Sequence, residues 1–443
     1  MRGELPSWLT GSLLRTGPAQ FEVGEQQLRH WFDGLAMLHA FSFGGGEVGY
    51  VSRFLDTKAR RAAEQGRMEM QEFATDPCRS IFQRVTSKFS PNPTDNANVN
   101  VSRLGEDYIA MTETPLPVVF DPETLETVGF GDRAPGVIST AHPHHDPKRG
   151  ELVNYAAHLG PRSSYRVYAD RGRGARRILA EMKVSEPAYM HSFALSDHHV
   201  ALVEFPLVVN PIKLALGGKP FIESYRWKPE LGTCFRVFDR STGELRGTWQ
   251  APPFFAFHHV NAFERDGELV LDLCAYDDAE VIRALYLEPL RAGQPVPAAD
   301  LRRYRLPLDG GEVQVEPLGG QGLELPRINY PRCNGRPYRY VWGAGLSPDR
   351  PRDFIARVLK LDLEEGTEAV WEAEGCHPGE AVFVASPEAS AEDEGVLLSV
   401  VLDSARETSF LLVLDAANLD ELARAEVPRH IPFGFHGQYF SSQ

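Results

Sequence analysis

Residues 235–249, FRVFDRSTGELRGTW, predict a β-hairpin, because a run of β-branched and aromatic residues ends in Asp239, a polar turn follows, and a second strand begins. Asp favours the start of a turn and Gly permits a positive φ, so the turn residues suit this interpretation. The same pattern recurs around Asp121, Asp362 and Asp415. These three further copies are VVFDPETLETVGF (118–130), VLKLDLEEGTEAVW (358–371) and LLVLDAANLDELARAEV (411–427).

The remainder of the chain also favours strands over helices. Short β-branched and aromatic runs alternate with clusters of Gly, Pro, Asp and Asn. Several similar antiparallel hairpins within 443 residues predict an all-β fold of the β-propeller type, whose four-stranded blades surround a central axis. Length alone suggests two or three domains, but propellers routinely exceed that prior. We therefore predict a single domain over residues 1–443.

Four histidines, far apart in the chain, have distinctive neighbours and together predict a metal site. Neutral imidazole is the commonest protein ligand for iron, copper, nickel and zinc. The wide gaps exclude a zinc-finger module, whose ligands are close in sequence. Inner strands of different propeller blades all face the axis, so distant ligands can meet there. The four are His142 in TAHPHHD, His191 in YMHSFAL, His258 in FHHVNAFE and His436 in GFHGQYF.

Neighbouring histidines compete for two of these positions. His144 and His145 lie close to His142, and His259 follows His258. Adjacent residues of a strand face opposite sides of the sheet, so His258 and His259 cannot both point towards the axis. The residues alone do not choose among these neighbours.

Composition narrows the class of partner. There are 61 Asp and Glu residues against 46 Lys and Arg, giving a formal charge of −15, which disfavours nucleic acid as a partner and suits an uncharged substrate. The 5 cysteines are widely spaced and lack a CxxC motif, so neither a disulfide framework nor a cysteine metal site is predicted. Reduced thiols and a cytoplasmic location are the default expectation.

No exported or membrane-spanning segment is predicted. The first 18 residues are interrupted by Pro and Gly and do not resemble a signal peptide. The most apolar stretch, Phe205 to Phe221, is broken by Pro, Asn and Lys and cannot supply the ~20 apolar residues of a membrane span. It can still dip into one leaflet, together with the region around Cys78. The alternative is that both segments are ordinary loops and core.

The motifs around the four histidines resemble the carotenoid cleavage oxygenase family. Three further blocks carry the resemblance: HWFDGLAMLH (30–39), NVNVSRLGEDYIAMTETP (98–115) and LELPRINYPRCNGRPYRYVWG (323–343). Together they extend from about Gly17 to Tyr439. The most similar branch contains the animal β-carotene oxygenases and the retinoid isomerase of the retinal pigment epithelium.

The resemblance implies a seven-bladed β-propeller capped by a dome of loops and short helices. It implies a catalytic Fe(II) held by His142, His191, His258 and His436, which leaves the neighbouring histidines as non-ligands. Metal-bound histidines usually donate their second N–H to a carboxylate or carbonyl. By resemblance, the carboxylates that support His191, His258 and His436 are respectively Glu113, Glu324 and Glu380.

The implied reaction is O2-dependent cleavage of a C=C bond of a carotenoid or apocarotenoid, with central 15,15′ cleavage to retinal as the preferred outcome. Thr112 stands where the stilbene-cleaving branch of the family has a phenol-binding lysine, which disfavours stilbenoids. Val99 matches a position beside an open iron coordination site. An apolar tunnel suits a polyene. Further tunnel candidates are Phe193, Phe254, Phe255, Phe257 and Trp342.

Three alternatives stay open at this point. Stilbenoid cleavage shares the mechanism. A retinoid isomerohydrolase would use the same iron scaffold without O2. A metal-free propeller used as a binding scaffold would need no convergent histidines.

Overall fold

The computed structural model describes residues 1–68, 72–75, 94–216 and 219–442, and their strands form a seven-bladed β-propeller, as predicted. In chain order the strands are β1 (Arg2–Gly3), β2 (Gly11–Gln20), β3 (Glu22–Val23), β4 (Gln26–Gln27), β5 (Leu35–Gly44), β6 (Glu47–Phe54), β7 (Asn100–Leu104), β8 (Asp107–Met111), β9 (Val118–Phe120), β10 (Thr127–Phe130), β11 (Ile138–Ser139), β12 (His144–Asp146), β13 (Glu151–His158), β14 (Ser164–Asp170), β15 (Arg176–Lys183), β16 (Ala194–Leu195), β17 (His199–Glu204), β18 (Leu207–Val208), β19 (Arg226–Trp227), β20 (Thr233–Asp239), β21 (Leu245–Ala251), β22 (Phe255–Arg265), β23 (Glu268–Tyr276), β24 (Asp300–Pro307), β25 (Gln314–Gly319), β26 (Leu323–Arg327), β27 (Tyr340–Gly345), β28 (Arg357–Asp362), β29 (Thr367–Glu372), β30 (Cys376–Pro378), β31 (Val382–Ala385), β32 (Gly395–Asp403), β33 (Thr408–Asp415), β34 (Glu421–Val427) and β35 (Gly437–Ser441).

Helices are short and lie between strands. The described α-helices are α1 (Lys58–Glu64), α2 (Pro211–Leu216), α3 (Glu280–Ala284), α4 (Leu287–Arg291) and α5 (Tyr330–Cys333), and the 3₁₀ helices are Trp31–Asp33, Ile222–Ser224 and Pro229–Leu231. Among the described residues, no helix combines the length and apolarity needed to cross a bilayer.

Each blade is an antiparallel sheet whose first strand lies at the axis. From the axis outwards, blade 1 is β35-β2-β5-β6, blade 2 is β7-β8-β9-β10, blade 3 is β11 and β12 followed by β13-β14-β15, blade 4 is β16-β17-β20-β21, blade 5 is β22-β23-β24-β25, blade 6 is β26-β27-β28-β29, and blade 7 is β30 and β31 followed by β32-β33-β34-β1.

The two ends of the chain close the ring. The C-terminal β35 supplies the inner strand of blade 1 by pairing with β2, and the N-terminal β1 adds to the outer edge of blade 7 by pairing with β34. Residues near opposite chain ends therefore share hydrogen-bonded registers, such as Leu13 with Tyr439 and Arg2 with Arg424. Closing a ring of blades in this way protects edges that would otherwise be open.

The four predicted hairpins are confirmed, and each forms the third and fourth strands of a blade, counted from the axis. They are β9–β10, β20–β21, β28–β29 and β33–β34, in blades 2, 4, 6 and 7. In the second of these, the Asp239 Oδ1 atom accepts from the backbone N–H groups of Ser241 (2.8 Å) and Thr242 (2.9 Å). Blade 3 contains a fifth turn of similar kind that the sequence did not single out, in which Asp170 accepts from the N–H of Gly172.

Four long connections lie over the face of the propeller at which the inner strands begin, and they form the predicted dome. Within the described part of the chain, they comprise the residues between β2 and β5, residues 55–68, 72–75 and 94–99 between β6 and β7, and the residues between β17 and β20 and between β23 and β24. The third of these contains most of the apolar stretch from Phe205 to Phe221, where Phe205 and Val209 are buried and Ile212 is 60% exposed. The region around Cys78 lies outside the described residues.

Candidate metal centre

Four inner strands position the four predicted histidines at one end of the axis. His142 and His191 lie just before β12 and β16, His258 lies within β22, and His436 immediately precedes β35. They come from blades 3, 4, 5 and 1, which explains how residues so distant in sequence meet. One potential ligand atom from each histidine lies within 4.8 Å of those of the other three.

The imidazole Nε2 atoms face one another. The Nε2 atoms of His142 and His191 are 2.9 Å apart, and those of His258 and His436 are 3.2 Å apart. Rings on different blades stand steeply to each other, for example 85° between His142 and His436. The four side chains therefore surround one small space on the axis.

Three carboxylates hold the far side of these rings. The Nδ1 atoms of His191, His258 and His436 lie 2.7, 2.5 and 2.7 Å from single carboxylate oxygens. Since a carboxylate accepts hydrogen bonds, each Nδ1 carries the proton and each Nε2 presents its lone pair to the shared space. The three carboxylates belong respectively to Glu113, Glu324 and Glu380.

This arrangement fits a metal cation. At least three neutral imidazoles direct unprotonated nitrogens at one point, where lone pairs would repel unless a positive ion lay between them. Imidazole sets of this kind suit iron, copper, nickel and zinc. Burial, together with the neighbouring histidines, places the pKa of His142 well below its usual range. Burial likewise lowers the pKa of His436 to about 4, against the opposing effect of Glu380, so both rings are unprotonated at neutral pH.

Two β-bulges aim side chains at the centre. The pairing of β22 with β23 is irregular between Ala256 and Asn261, around His258. The pairing of β26 with β27 is irregular just after Glu324, where Leu325 has a φ of +50°. A bulge inserts extra residues into one strand and re-aims the side chains beside it, which is why bulges are frequent near functional sites.

Glu380 is the most heavily bonded of the three carboxylates. It is 1% exposed and accepts from His436 Nδ1, from Arg327 Nε (2.9 Å) and from the Gly437 N–H (2.8 Å). Burial opposes its ionisation, but Arg327 and His436 outweigh burial and hold the pKa of Glu380 far below its ordinary value. A nearby buried guanidinium, Arg15, donates to the carbonyl oxygen of Phe435 at 2.9 Å.

The other two carboxylates each pair with a tyrosine. The Tyr189 hydroxyl donates to Glu113 at 2.9 Å, and the Tyr276 hydroxyl donates to Glu324 at 2.7 Å. Burial opposes ionisation of Glu324, but His258 and the Tyr276 hydrogen bond lower its pKa overall. Neither tyrosine was identified from the sequence as the partner of a glutamate, although Tyr189 lies in the YMHSFAL motif, two residues before His191.

The competing histidines point elsewhere. His144 lies with Nε2 3.0 Å from the carbonyl oxygen of Phe193, and His259 lies with Nδ1 2.8 Å from the Ser192 hydroxyl. His145 is exposed. Strand alternation thus separates His258 from His259, as expected.

A largely apolar cavity opens beside the metal centre, and His191, His258 and His436 form part of its lining. Two of the predicted tunnel residues, Val99 and Phe257, line it. Most of the aromatic residues of its wall were not predicted from the sequence. These missed residues are Trp31, Phe32, Tyr276, Phe354 and Phe435. Three of these aromatics could have been identified from the sequence, because they lie in motifs that carried the family resemblance: Trp31 and Phe32 in HWFDGLAMLH, and Phe435 in GFHGQYF.

The other five tunnel candidates do not line this cavity, and their assignment is corrected. Trp342 is 0% exposed, stacks on Phe383 and donates to the Ala416 carbonyl, so it packs between blades 6 and 7. Thr112 lines a separate cavity between blades 2 and 3. The remaining three are packed in the interblade core among other aromatic rings, and they are Phe193, Phe254 and Phe255. Packing between blades uses the same large apolar side chains as a tunnel wall, so composition did not separate them.

Comparisons with known proteins agree with this geometry. The model of a family described as retinal pigment epithelial membrane protein matches residues 1–441. The mitochondrial carotenoid-cleaving dioxygenase of Macaca fascicularis is 36% identical, over 99% of this chain and 90% of that protein. The β,β-carotene 15,15′-dioxygenase of Mus musculus is 33% identical, over 99% of this chain and 88% of that protein.

Solved structures show the same fold. A cobalt-substituted Synechocystis ACO superposes with a TM-score of 0.87 at 26% identity, covering 100% of this chain and 94% of that one. An ACO/RPE65 chimera gives the same TM-score, identity and coverage.

Proposed function

The chain belongs to the family of the retinal pigment epithelial membrane protein and the carotenoid-cleaving dioxygenases, and from this membership we propose that it cleaves a C=C bond of a carotenoid or apocarotenoid with O2, giving two aldehydes. The observation that supports the proposal best is the convergence of four imidazole nitrogens beside an apolar cavity.

We propose Fe(II) as the metal, held by His142, His191, His258 and His436. Bound Fe(II) supplies the binding and activation of O2, which closed-shell organic substrates do not achieve by themselves. Imidazole is a suitable ligand for iron, and the cobalt-substituted relative has a similar fold.

Three carboxylates of this chain orient the histidine rings for metal binding. Glu113, Glu324 and Glu380 hold the Nδ1 protons, fix each ring's orientation, and raise the basicity of the Nε2 atoms. Arg327 and Arg15 partly offset the carboxylate charge, so the surroundings keep about one net negative charge for a divalent cation to neutralise. This balance favours metal retention in a buried site.

The cavity wall binds and orients the polyene. Phe257 lines the cavity next to the histidines, with its ring 5.4 Å from that of His191 and 5.6 Å from that of Phe32. Aromatic and aliphatic walls bind a long apolar chain by surface burial and exclude water from the reacting bond. Among the described residues, no Lys or Arg side chain lines this cavity, which suits an uncharged polyene.

We propose central 15,15′ cleavage to retinal as the preferred reaction. The support is the similarity to a relative named for that activity, at 33% identity over nearly the whole chain. The bond that is cut depends on how far the polyene extends past the histidines.

We also propose contact with a membrane surface through the segment from Phe205 to Phe221. Ile212 is 60% exposed on the dome, beside the cationic Lys213. An apolar side chain flanked by a basic residue favours shallow insertion. Flotation with anionic liposomes should recover the wild type and less of Ile212→Asp; equal recovery would contradict the contact.

Mass spectrometry of products tests the reaction. Fe(II)-loaded protein is incubated separately with β-carotene, β-apo-8′-carotenal, resveratrol and a retinyl ester, under O2 and under argon. Retinal or shorter apocarotenals formed only under O2 support the proposal. Hydroxybenzaldehydes from resveratrol alone would contradict the carotenoid assignment, and retinol released from a retinyl ester under argon would indicate an isomerohydrolase instead.

A further inference from the structure

A second, smaller cavity lies between blades 7 and 1, and among the described residues only Ile355 lines both it and the metal cavity. Its wall combines aliphatic side chains such as Val400 and Ile431 with the polar side chains of Arg15 and His377. Phe354 faces the metal cavity and Phe433 faces the second one, and their rings meet edge to face at 5.1 Å. The partition between the two spaces is therefore thin.

Ile355 has an unusual backbone conformation at this partition. Its φ is +52°, a left-handed conformation that is rare for any residue with a Cβ and a genuine outlier for a β-branched one. The surroundings hold it there: His377 Nδ1 donates to the Ile355 carbonyl oxygen at 3.1 Å, and the next N–H, of Ala356, donates to Gly345 O at 2.8 Å. Strain of this kind persists where the structure over-determines it, and it is concentrated at functional positions.

We propose that Ile355 determines which double bond is cut, by closing the metal cavity against the second one and limiting how far a polyene end can advance. The proposal deepens the proposed function and rests on it. Ile355 is 7% exposed and lines both cavities, so we expect truncation of its side chain to open a passage between them. An inserted end would then advance, and a double bond farther from that end would lie beside the histidines.

The test compares Ile355→Ala and Ile355→Gly with the matched control Ile431→Ala. Ile431 is also 7% exposed and lines the second cavity only, so the control enlarges that space without opening the partition. Gly adopts a φ of +52° without strain, so Ile355→Gly preserves the local backbone if the alanine variant does not fold.

With β-carotene, we expect the Ile355 variants to change the products from two equal aldehydes to one longer and one shorter aldehyde, and Ile431→Ala to match the wild type. Unchanged products in the Ile355 variants, or the same change in Ile431→Ala, would overturn the proposal.

A binding measurement on metal-free protein separates this proposal from the proposed function. Trp31 lines the metal cavity, so tryptophan quenching reports binding there. Each additional buried methylene strengthens binding by a few-fold, so the affinity for β-apo-8′-carotenal relative to retinal should rise at least about tenfold in the Ile355 variants. An unchanged ratio overturns the partition role even if the wild type cleaves carotenoids. If the affinity ratio rises but the protein cleaves no polyene, Ile355 separates the two cavities and the proposed function is wrong.

Discussion

Replacing Glu380 with glutamine tests how the buried carboxylates support the site. The Glu380 Oε1 atom accepts from His436 Nδ1 and Arg327 Nε, and its Oε2 atom accepts from the Gly437 N–H. A glutamine can place its carbonyl oxygen on only one side. Its best orientation keeps the first two hydrogen bonds and turns an NH₂ group against the Gly437 N–H, so two donors face each other.

The magnitude follows from these contacts. An unsatisfied buried donor costs about 1–3 kcal/mol, and breaking a buried ion pair such as Glu380–Arg327 costs about 3–5 kcal/mol. We expect Glu380→Gln to lower the free energy of unfolding by about 3–5 kcal/mol. Loss of a carboxylate behind a metal ligand typically weakens metal binding 10–100-fold, that is by about 1.4–2.7 kcal/mol.

Glu113→Gln is the matched control. Glu113 accepts from His191 Nδ1, and its remaining partner is the Tyr189 hydroxyl, which can rotate to accept from the new NH₂ group. We therefore expect a loss of stability below about 1 kcal/mol, the net value of a typical hydrogen bond. Urea unfolding of the metal-free proteins measures the stability, and competition with a chelator measures iron affinity. An equal decrease in the free energy of unfolding in the two variants, or a larger decrease in Glu113→Gln, would refute the account of Glu380.

Three further outcomes are expected. Burial, with Asp33 nearby, raises the pKa of Glu72 from 4.5 to about 8, so the folded state holds the Glu72 proton more tightly than the unfolded state does. Stability should therefore fall as the pH rises from 4.5 to 8, by at most about 1.4 kcal/mol per pH unit. Thermal unfolding should show a weaker decline in Glu72→Gln, and an equal decline in the variant and the wild type would contradict this expectation. Trp342→Phe removes the hydrogen bond to Ala416 O and should lower the free energy of unfolding, measured with urea, by about 1–3 kcal/mol without changing the products. Altered products would show that Trp342 does line the substrate tunnel. Val99→Thr places a hydroxyl on the apolar wall, so it should raise KM for a polyene and lower stability by about 1–3 kcal/mol. Unchanged kinetics would show that residue 99 does not contact the substrate.

The architecture was accessible from the sequence because its signals are local. The turn at Asp239 carries its own chemistry, a carboxylate that accepts from the two following N–H groups, and it recurs. Once a propeller is predicted, distant histidines are expected to converge on the axis, and the family resemblance then separated His142 and His258 from their neighbours.

The wall of the cavity was not accessible in the same way. His258 and Glu324 are aimed by bulges that depend on strand register, which periodicity does not reveal. Phe254 and Phe257 differ by three positions, yet the first packs on Tyr304 between strands and the second faces the cavity. Ile355 gave no signal, because its importance rests on a φ value and on two cavities that only the folded chain defines.

The most direct test of the central claim is a crystal structure of Fe(II)-reconstituted protein with anomalous data collected at the iron edge. The account predicts one strong anomalous peak among the Nε2 atoms of His142, His191, His258 and His436, and its loss in His436→Ala. A structure with no peak there, or with the iron bound elsewhere and the wild-type activity retained, would contradict it.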